Sequence, residues 1–360
     1  MKIGILTHHY VKNFGAYMQA YGLIAVIKAM YPKAEIEIID YRVLKHEMVN
    51  TLHFFGYKPK RGDTLRGLIE KIGLFFTLRK YEHKLPTSKR MHTAADINSQ
   101  RYNLIIVGSD EVWNFNDIAY SPIKFGKGIT APMITYAASA GGSTISDVIP
   151  AEVKLGVKKF ASIAVRDEGT EEFVIALVGR DTLRTLDPVY LYDYRVTCRT
   201  KIKNQMKKPY ILIYDCHLKP DQVQSIKEFT KKNKLSIVGA GEYRYWYDFH
   251  TGNITPFEWA YLFKNSWGVI TGTFHGTSFA IKYNRRVAVY LTEKNRINKV
   301  GSLLKELHMT SQIVSMDNEG DLLKVLSKDI DYEQVNTILK MRVDESSTYL
   351  QKGIEQYGDG

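Results

Sequence analysis

Short runs rich in Ile, Val, Leu and Tyr alternate with stretches of helical periodicity along most of the chain, and the alternation occurs twice with a break between the series. In the first series, strand-like runs at 3–7, 35–39, 104–107, 133–138, 162–165 and 182–186 are separated by helical stretches at 16–30, 152–160 and 168–178. In the second, runs at 210–214, 236–240 and 267–271 and a strand ending at 291 are separated by helical stretches at 221–232, 256–265 and one opening near 275. A strand that feeds a helix rather than a tight turn is followed by a strand running the same way, so the sheets are parallel and helices cover both faces. The pattern predicts an α/β chain of two doubly wound, Rossmann-like domains facing a cleft, at 1–192 and 209–330, with a C-terminal helix and tail at 331–360. Residues 193–208, rich in Lys, Arg and Thr, read as the linker.

At 360 residues the chain exceeds the size at which one core stops growing, and 44% hydrophobic content supplies two. A formal charge of +12 favours an acidic partner, whether nucleic acid, an anionic membrane surface or a phosphorylated or carboxylated substrate. No nucleic-acid module and no alternation of basic and aromatic residues along one element is present, so nucleic acid is not expected. The two cysteines, Cys198 and Cys216, stand in unrelated contexts and imply neither a disulfide framework nor a zinc site. The opening Met-Lys-Ile-Gly-Ile-Leu-Thr reads as a strand rather than a leader, and no apolar run approaches the ~18 residues that span a bilayer. A cytoplasmic location is expected.

The basic segment 41–100 interrupts the first series. Leu65, Leu68, Ile69, Ile72, Phe75 and Phe76 fall at helical spacing, although Gly67 and Gly73 weaken a helix there. Two readings follow. The segment lies peripherally at the inner face of a membrane, with Arg61, Arg66, Lys71, Arg79 and Lys80 near anionic headgroups, or it packs on the N-terminal domain or covers a substrate as a lid. Leu74 and Leu78 fall off the main apolar face, so packing on several sides is the expected arrangement.

Chemistry-bearing residues gather where strands end. Gly108-Ser109-Asp110-Glu111-Val112-Trp113-Asn114 follows one strand, and Asp110 there can accept a proton from a hydroxyl or cap a short helix. Tyr136-Ala137-Ala138-Ser139-Ala140-Gly141 ends a second, and Val165-Arg166-Asp167-Glu168 a third, where Arg166 can hold an anion bidentately or pair with Asp167 or Glu168. His8 and His9 end the first strand. Thr271-Gly272-Thr273-Phe274-His275-Gly276-Thr277 passes from a strand into a helix, where backbone N–H groups and the helix dipole favour an anion beside a titratable imidazole. Its alternative is Thr273 as a plain N-cap.

Together with Asn13-Phe14-Gly15-Ala16, Gln19 and Leu186-Asp187-Pro188, these motifs, in this order over roughly residues 1–310, resemble the polysaccharide pyruvyl transferase family, in the branch with a Gly-Ser-Asp-x-Val-Trp-Asn signature. The resemblance implies a GT-B-like pair of domains and transfer of the pyruvyl group of phosphoenolpyruvate onto a sugar of a cell-surface polysaccharide or its lipid-linked precursor, forming a ketal. It implies a donor held by His275 and Arg166; for the reaction it implies, His275 and Asp110 are the expected catalytic residues, and Thr273, Gly276, Thr277 and Arg296 complete the expected donor set. His8, Asn13, Ser109 and Ser139 would meet the acceptor. No cofactor and no metal are expected. The family motif Arg-x-His-Gly is met by His275 and Gly276, but Thr273 stands where it has arginine, so one cation is missing. Arg296 is the candidate replacement, ahead of Lys282. A glycosyltransferase using a nucleotide sugar and a catalytically silent glycan-binding protein remain open beside this reading.

Overall fold

Every strand pair among the described residues of the computed structural model is parallel, as strand-to-helix alternation requires. The structure describes residues 1–55, 65–179, 182–196, 199–291, 294–314 and 321–358, with the backbone alone for 200, 201, 205 and 294–297. Arg61 and Cys198 lie outside the described residues.

The first series gives β1 (Lys2–Leu6), α1 (Phe14–Met30), β2 (Glu35–Ile38), α2 (Leu44–Phe55), α3 (Leu65–Glu82), α4 (Ala94–Asn98), β3 (Leu104–Val107), β4 (Met133–Thr135), α5 (Ala151–Val157), β5 (Ala164–Val165), α6 (Glu168–Val178), β6 (Leu183–Arg184) and α7 (Pro188–Leu191). The second gives α8 (Thr200–Gln205), β7 (Tyr210–Tyr214), α9 (Pro220–Lys232), β8 (Ser236–Gly239), α10 (Pro256–Lys264), β9 (Gly268–Thr271), α11 (Phe274–Lys282), β10 (Arg286–Tyr290), α12 (Lys294–Glu306), β11 (Ile313–Val314), α13 (Leu322–Ser327) and α14 (Tyr332–Tyr357). One sheet has the order β2-β1-β3-β4, continued by isolated bridges toward the β5–β6 pair; the other has the order β11-β10-β9-β7-β8. The expected linker contains a short helix, α8, and the expected strand 133–138 stops at Thr135 because Ala137 takes a left-handed φ of 47°.

The chain divides into two compact units. One comprises residues 1–52, 82–193 and 338–360, the other 53–81 and 194–337. The basic insertion is therefore shared: 53–81 pack with the second unit rather than the N-terminal one, and α14 carries the chain back into the first. Ser346 Oγ accepts from Leu186 N at 3.0 Å and Tyr349 OH donates to Thr135 O at 2.9 Å, so the C-terminal helix is part of the first unit's interior.

Local signals explain the helix ends. Asn13 caps α1 by accepting from Ala16 N at 2.7 Å, Asp167 caps α6, and Gly179 closes α6 at φ 69°. Helix α3 runs unbroken through both its glycines. A Cβ on Gly73 would stand 2.7 Å from Asn253 Nδ2, so the missing side chain lets the helix lie against residues 252–253.

Each unit has its own core. In the second, Trp259, Phe263 and Phe279 pack between α10 and α11. In the first, Trp113 is fully buried, stacks on Phe125 at 5.6 Å, meets the edge of Phe160 at 5.1 Å, and donates from Nε1 to Lys124 O at 3.0 Å. Trp113→Ala removes the largest side chain of that core and strands the Lys124 carbonyl; a loss of about 3–5 kcal/mol is expected in urea unfolding. A loss below about 1 kcal/mol would show that this cluster does not anchor the unit.

Candidate active site

In an open parallel sheet, ligands bind outside the carboxyl ends of strands at the point where the strand order reverses. In the first unit this point lies between β1 and β3, since the chain goes from β1 to β2 on one side and from β3 to β4 on the other. The residues after these two strands are Thr7-His8-His9 and Gly108-Ser109-Asp110. In the second unit it lies between β7 and β9, and β9 runs into the Thr273–His275 turn. Each unit thus carries one group of the sequence-derived residues at its own switch point: Ser109, Asp110 and His8 in the first; Thr273, His275, Gly276 and Thr277 in the second.

The turn after β3 is tightly determined. Gly108 has φ 125°, and a Cβ there would come 2.1 Å from Tyr136 O, so only glycine fits. Asp110, with φ 78°, is held in the left-handed region by its carbonyl, which accepts from Ser139 N at 3.0 Å, while Ser139 O accepts from Trp113 N at 3.1 Å. Ser139 Oγ accepts from Gly141 N, so this buried serine serves the backbone of the turn. Ser109 is also buried, its Oγ 3.0 Å from Ala137 O and 3.1 Å from Asp187 Oδ2, two acceptors for one proton.

Arg166, a residue of the expected donor set, meets two carboxylates of its own unit. Its side chain is 3% exposed; Nη1 donates to Asp187 Oδ2 at 3.0 Å and Nη2 lies 3.5 Å from Asp110 Oδ1. It belongs to the first unit with Asp110, and its guanidinium braces two carboxylates. Of its neighbours in sequence, Asp167 caps α6 through Oδ1, which accepts from Thr170 N and Oγ1. Asn13, expected at the acceptor, is the cap of α1.

Beside this turn stands a pair that sequence reasoning half missed. His8 is buried, and its Nε2 lies 2.6 Å from Nζ of Lys124, which also donates to Ala119 O at 2.8 Å. Lys124 is 1% exposed. Burial pushes its amine down to about 7 against the opposing pull of Asp117 and Asp110. Burial, followed by the charge of Lys124, pushes the His8 imidazole well below its usual value. The two nitrogens are thus in contact with neither favouring a charge. Lys124 sits in a single turn, Pro122–Phe125, and no local pattern marks it: its partner is 116 residues away. Around the pair, His46 Nδ1 meets Tyr10 OH at 3.0 Å, and His9 Nε2 meets Asp40 Oδ1 at 3.1 Å. Arg42 ties Asp40, Glu47 and Glu82 together.

In the second unit Thr273 caps α11. Its Oγ1 accepts from Gly276 N at 3.0 Å, its N donates to Thr271 Oγ1 at 3.2 Å, and its carbonyl accepts from Thr277 Oγ1 at 2.8 Å. A Cβ on Gly276 would come 2.3 Å from Thr271 Oγ1, so the threonines and the glycine form one interlocked turn. Thr273, Gly276 and Thr277 build that turn, and His275, half-buried and edge-on to Phe274 at 5.4 Å, is the side chain it presents. Arg296 lies in the first turn of α12, with its side chain outside the described residues; Lys282 stands 5.8 Å over the ring of Tyr194. Among the described residues no group of three His, Cys, Asp or Glu is placed to hold a metal ion.

A family model described as polysaccharide pyruvyl transferase matches residues 13–293, which take in the turns after β3 and β9 and leave out β1 with Thr7-His8-His9. No curated protein matches the chain. Its fold is similar to that of a putative UDP-N-acetylglucosamine 2-epimerase from Listeria monocytogenes, with TM-score 0.53 and 10% identity over 99% of this chain and 97% of that one. It is similar also to UDP-GlcNAc 2-epimerase from Neisseria meningitidis bound to UDP-GlcNAc, with TM-score 0.51 and 12% identity over 99% and 100%. The enzyme from Rickettsia bellii gives TM-score 0.52 and 11% identity over 99% and 96%. At such identities the likeness is one of fold, the GT-B-like pair of Rossmann-like units.

The buried amine makes a prediction about pH. From about 7 to the ordinary lysine value of 10.5, the unfolded chain binds a proton that folded Lys124 does not, so this residue makes stability rise with pH across that window. Lys124→Met keeps the volume and removes the titration. Urea midpoints between these pH values should climb more steeply for the native protein than for the variant; parallel curves would mean that Lys124 is not a depressed amine.

Proposed function

Because the chain belongs to the polysaccharide pyruvyl transferase family, we propose that it transfers the pyruvyl group of phosphoenolpyruvate to two hydroxyls of one sugar, on a cell-surface polysaccharide or its lipid-linked precursor, giving a cyclic ketal and inorganic phosphate. The observation that carries the proposal is that the family match covers most of both units, including the turns after β3 and β9 that hold Asp110 and His275.

The chemistry sets what the residues must do. A proton added to the methylene carbon makes C2 of the enol phosphate electrophilic; a sugar hydroxyl forms a C–O bond there and gives up its proton. The C–O bond to phosphate then breaks, and the second hydroxyl closes the ring and loses its proton. The reaction needs one acid, a group that takes up hydroxyl protons, and cations for a donor bearing both phosphate and carboxylate.

His275 is assigned as acid and phosphate ligand, because α11 presents it at a helix N-terminus where the dipole favours an anion. Arg296 is assigned to the carboxylate, in place of the charge that Thr273 lacks. Asp110 is assigned to the acceptor hydroxyl, with Arg166 as the positioning residue that fixes it, and the Lys124–His8 pair takes up the proton. The geometry gives this pair a claim on proton transfer that Asp110, braced by a guanidinium, does not have alone.

A second reading rests on the fold. The Neisseria meningitidis relative binds UDP-GlcNAc, so a nucleotide-sugar glycosyltransferase would fit the same two units. Thermal shift separates the two: ligand at about 100 times its Kd stabilises by about 2.7 kcal/mol. Phosphoenolpyruvate, and not UDP-GlcNAc, is expected to raise the melting temperature.

Incubation with phosphoenolpyruvate and a lipid-linked or synthetic oligosaccharide should release phosphate only when the acceptor is present and add a pyruvate ketal to its mass. His275→Ala should reduce the rate at least ~100-fold. Full activity in that variant would remove His275 from the site, and stabilisation by UDP-GlcNAc alone would favour the other reaction.

A further inference from the structure

Helix α3 is amphipathic in the unusual sense that its apolar stripe faces outward. Leu65, Leu68, Ile69, Ile72 and Phe76 fall within an arc of roughly 100° at about 3.6 residues per turn, and all are exposed, Leu65 by 74%, Ile69 by 59% and Phe76 by 61%. The opposite side holds the helix to its unit. Leu74 and Leu78 are buried there, Thr77 Oγ1 donates to Asn253 Oδ1 at 2.7 Å, and Glu70 Oε2 accepts from Gly252 N at 3.1 Å. The two leucines off the main stripe do the packing, in keeping with the expected burial beyond one face, and none of the described residues covers the stripe itself.

Charge identifies what would cover it. Arg66, Arg79 and Lys80 are exposed around the stripe. The two acids of α3 are turned away, Glu70 toward Gly252 and the Arg66 guanidinium, and Glu82 into the Lys12 and Arg42 side chains. A second copy of the helix would oppose like charges across the stripe, with no exposed acid on the helix to compensate. An apolar band with a wholly basic rim complements a bilayer surface rich in anionic headgroups, where the side chains reach the acyl boundary and the cations stay at the phosphates. No helix among the described residues is long and apolar enough to cross a membrane, so contact through α3 is peripheral.

We propose that α3 docks the protein on an anionic lipid bilayer by seating its exposed stripe in the interface. The proposal goes beyond the transfer reaction and holds whichever donor the enzyme uses. It is tested by flotation of the full chain with vesicles of phosphatidylcholine, with and without phosphatidylglycerol. Binding is expected only to the anionic vesicles and should be lost near 1 M salt, where the screening length falls to about 3 Å. The double change Ile69→Ser and Phe76→Ser should weaken binding at least tenfold, and the triple change Arg66→Gln, Arg79→Gln and Lys80→Gln on the order of a hundredfold, at about fivefold per cation. Val148→Ser, at a 95% exposed valine of the other unit, should change nothing. Equal binding by the serine pair, failure of the native chain to float with anionic vesicles, or light scattering showing that the pair instead splits a dimer would each overturn the proposal.

Discussion

A guanidinium that is 3% exposed must be met by opposite charge, and Arg166 is met by two carboxylates from different parts of the first unit. Asp187 follows β6 and Asp110 follows β3, so one buried cation ties the ends of separate strands to each other. Breaking such a pair by removing one partner typically costs about 3–5 kcal/mol, because the other charge is left in the interior. Much else hangs on this contact. Asp187 also receives Ser109, whose backbone carbonyl accepts from Thr7 Oγ1 after β1, and Asp110 hands its own carbonyl to Ser139. The positive φ of Asp110 is stable because these bonds over-determine it.

The second unit solves the corresponding problem with neutral groups. Three threonines and a glycine close the turn after β9 by hydroxyl and amide hydrogen bonds, without an ion pair. An arginine at position 273 would have no oxygen to offer Gly276 N, so the threonine earns its place as a cap even as it removes a cation. The residue at 273 is therefore coupled to local folding, since the hydroxyl that caps the helix occupies the place where a charged side chain would leave Gly276 N unmet.

The strand-helix alternation was legible because strands buried on both faces must be almost wholly apolar, and Leu104 to Val107 and Gly268 to Thr271 are buried throughout. The strand-end motifs were legible for a related reason, since the ends of such strands are where polar residues interrupt an apolar run. What could not be read were partners distant in sequence. Arg166 has adjacent carboxylates, and the fold also brings Asp187 and Asp110 to it from other strand ends. Lys124 is one of many cations in a basic chain until the fold buries it against His8. The glycines of α3 spoke for a broken helix, and Asn253, 180 positions from Gly73, turns one of them into a contact. Nor does periodicity say which side of a helix meets the protein: the longer apolar stripe of α3 is exposed, and Leu74 and Leu78, off that stripe, are the anchors.

The first unit is assembled from three stretches of chain, and the last of them, 338–360, comes after the whole second unit has been traced. Its Ser346 and Tyr349 satisfy backbone groups at Leu186 and Thr135 that lie beside the buried Tyr136 and Asp187. On a ribosome the consequence is one of timing. The second unit has all its segments available before the first does, although the first was begun earlier, and the amino-terminal half must wait incomplete until α14 emerges. Contacts of such long separation form late and slowly, so the half of the protein that is synthesised first is the half that finishes last.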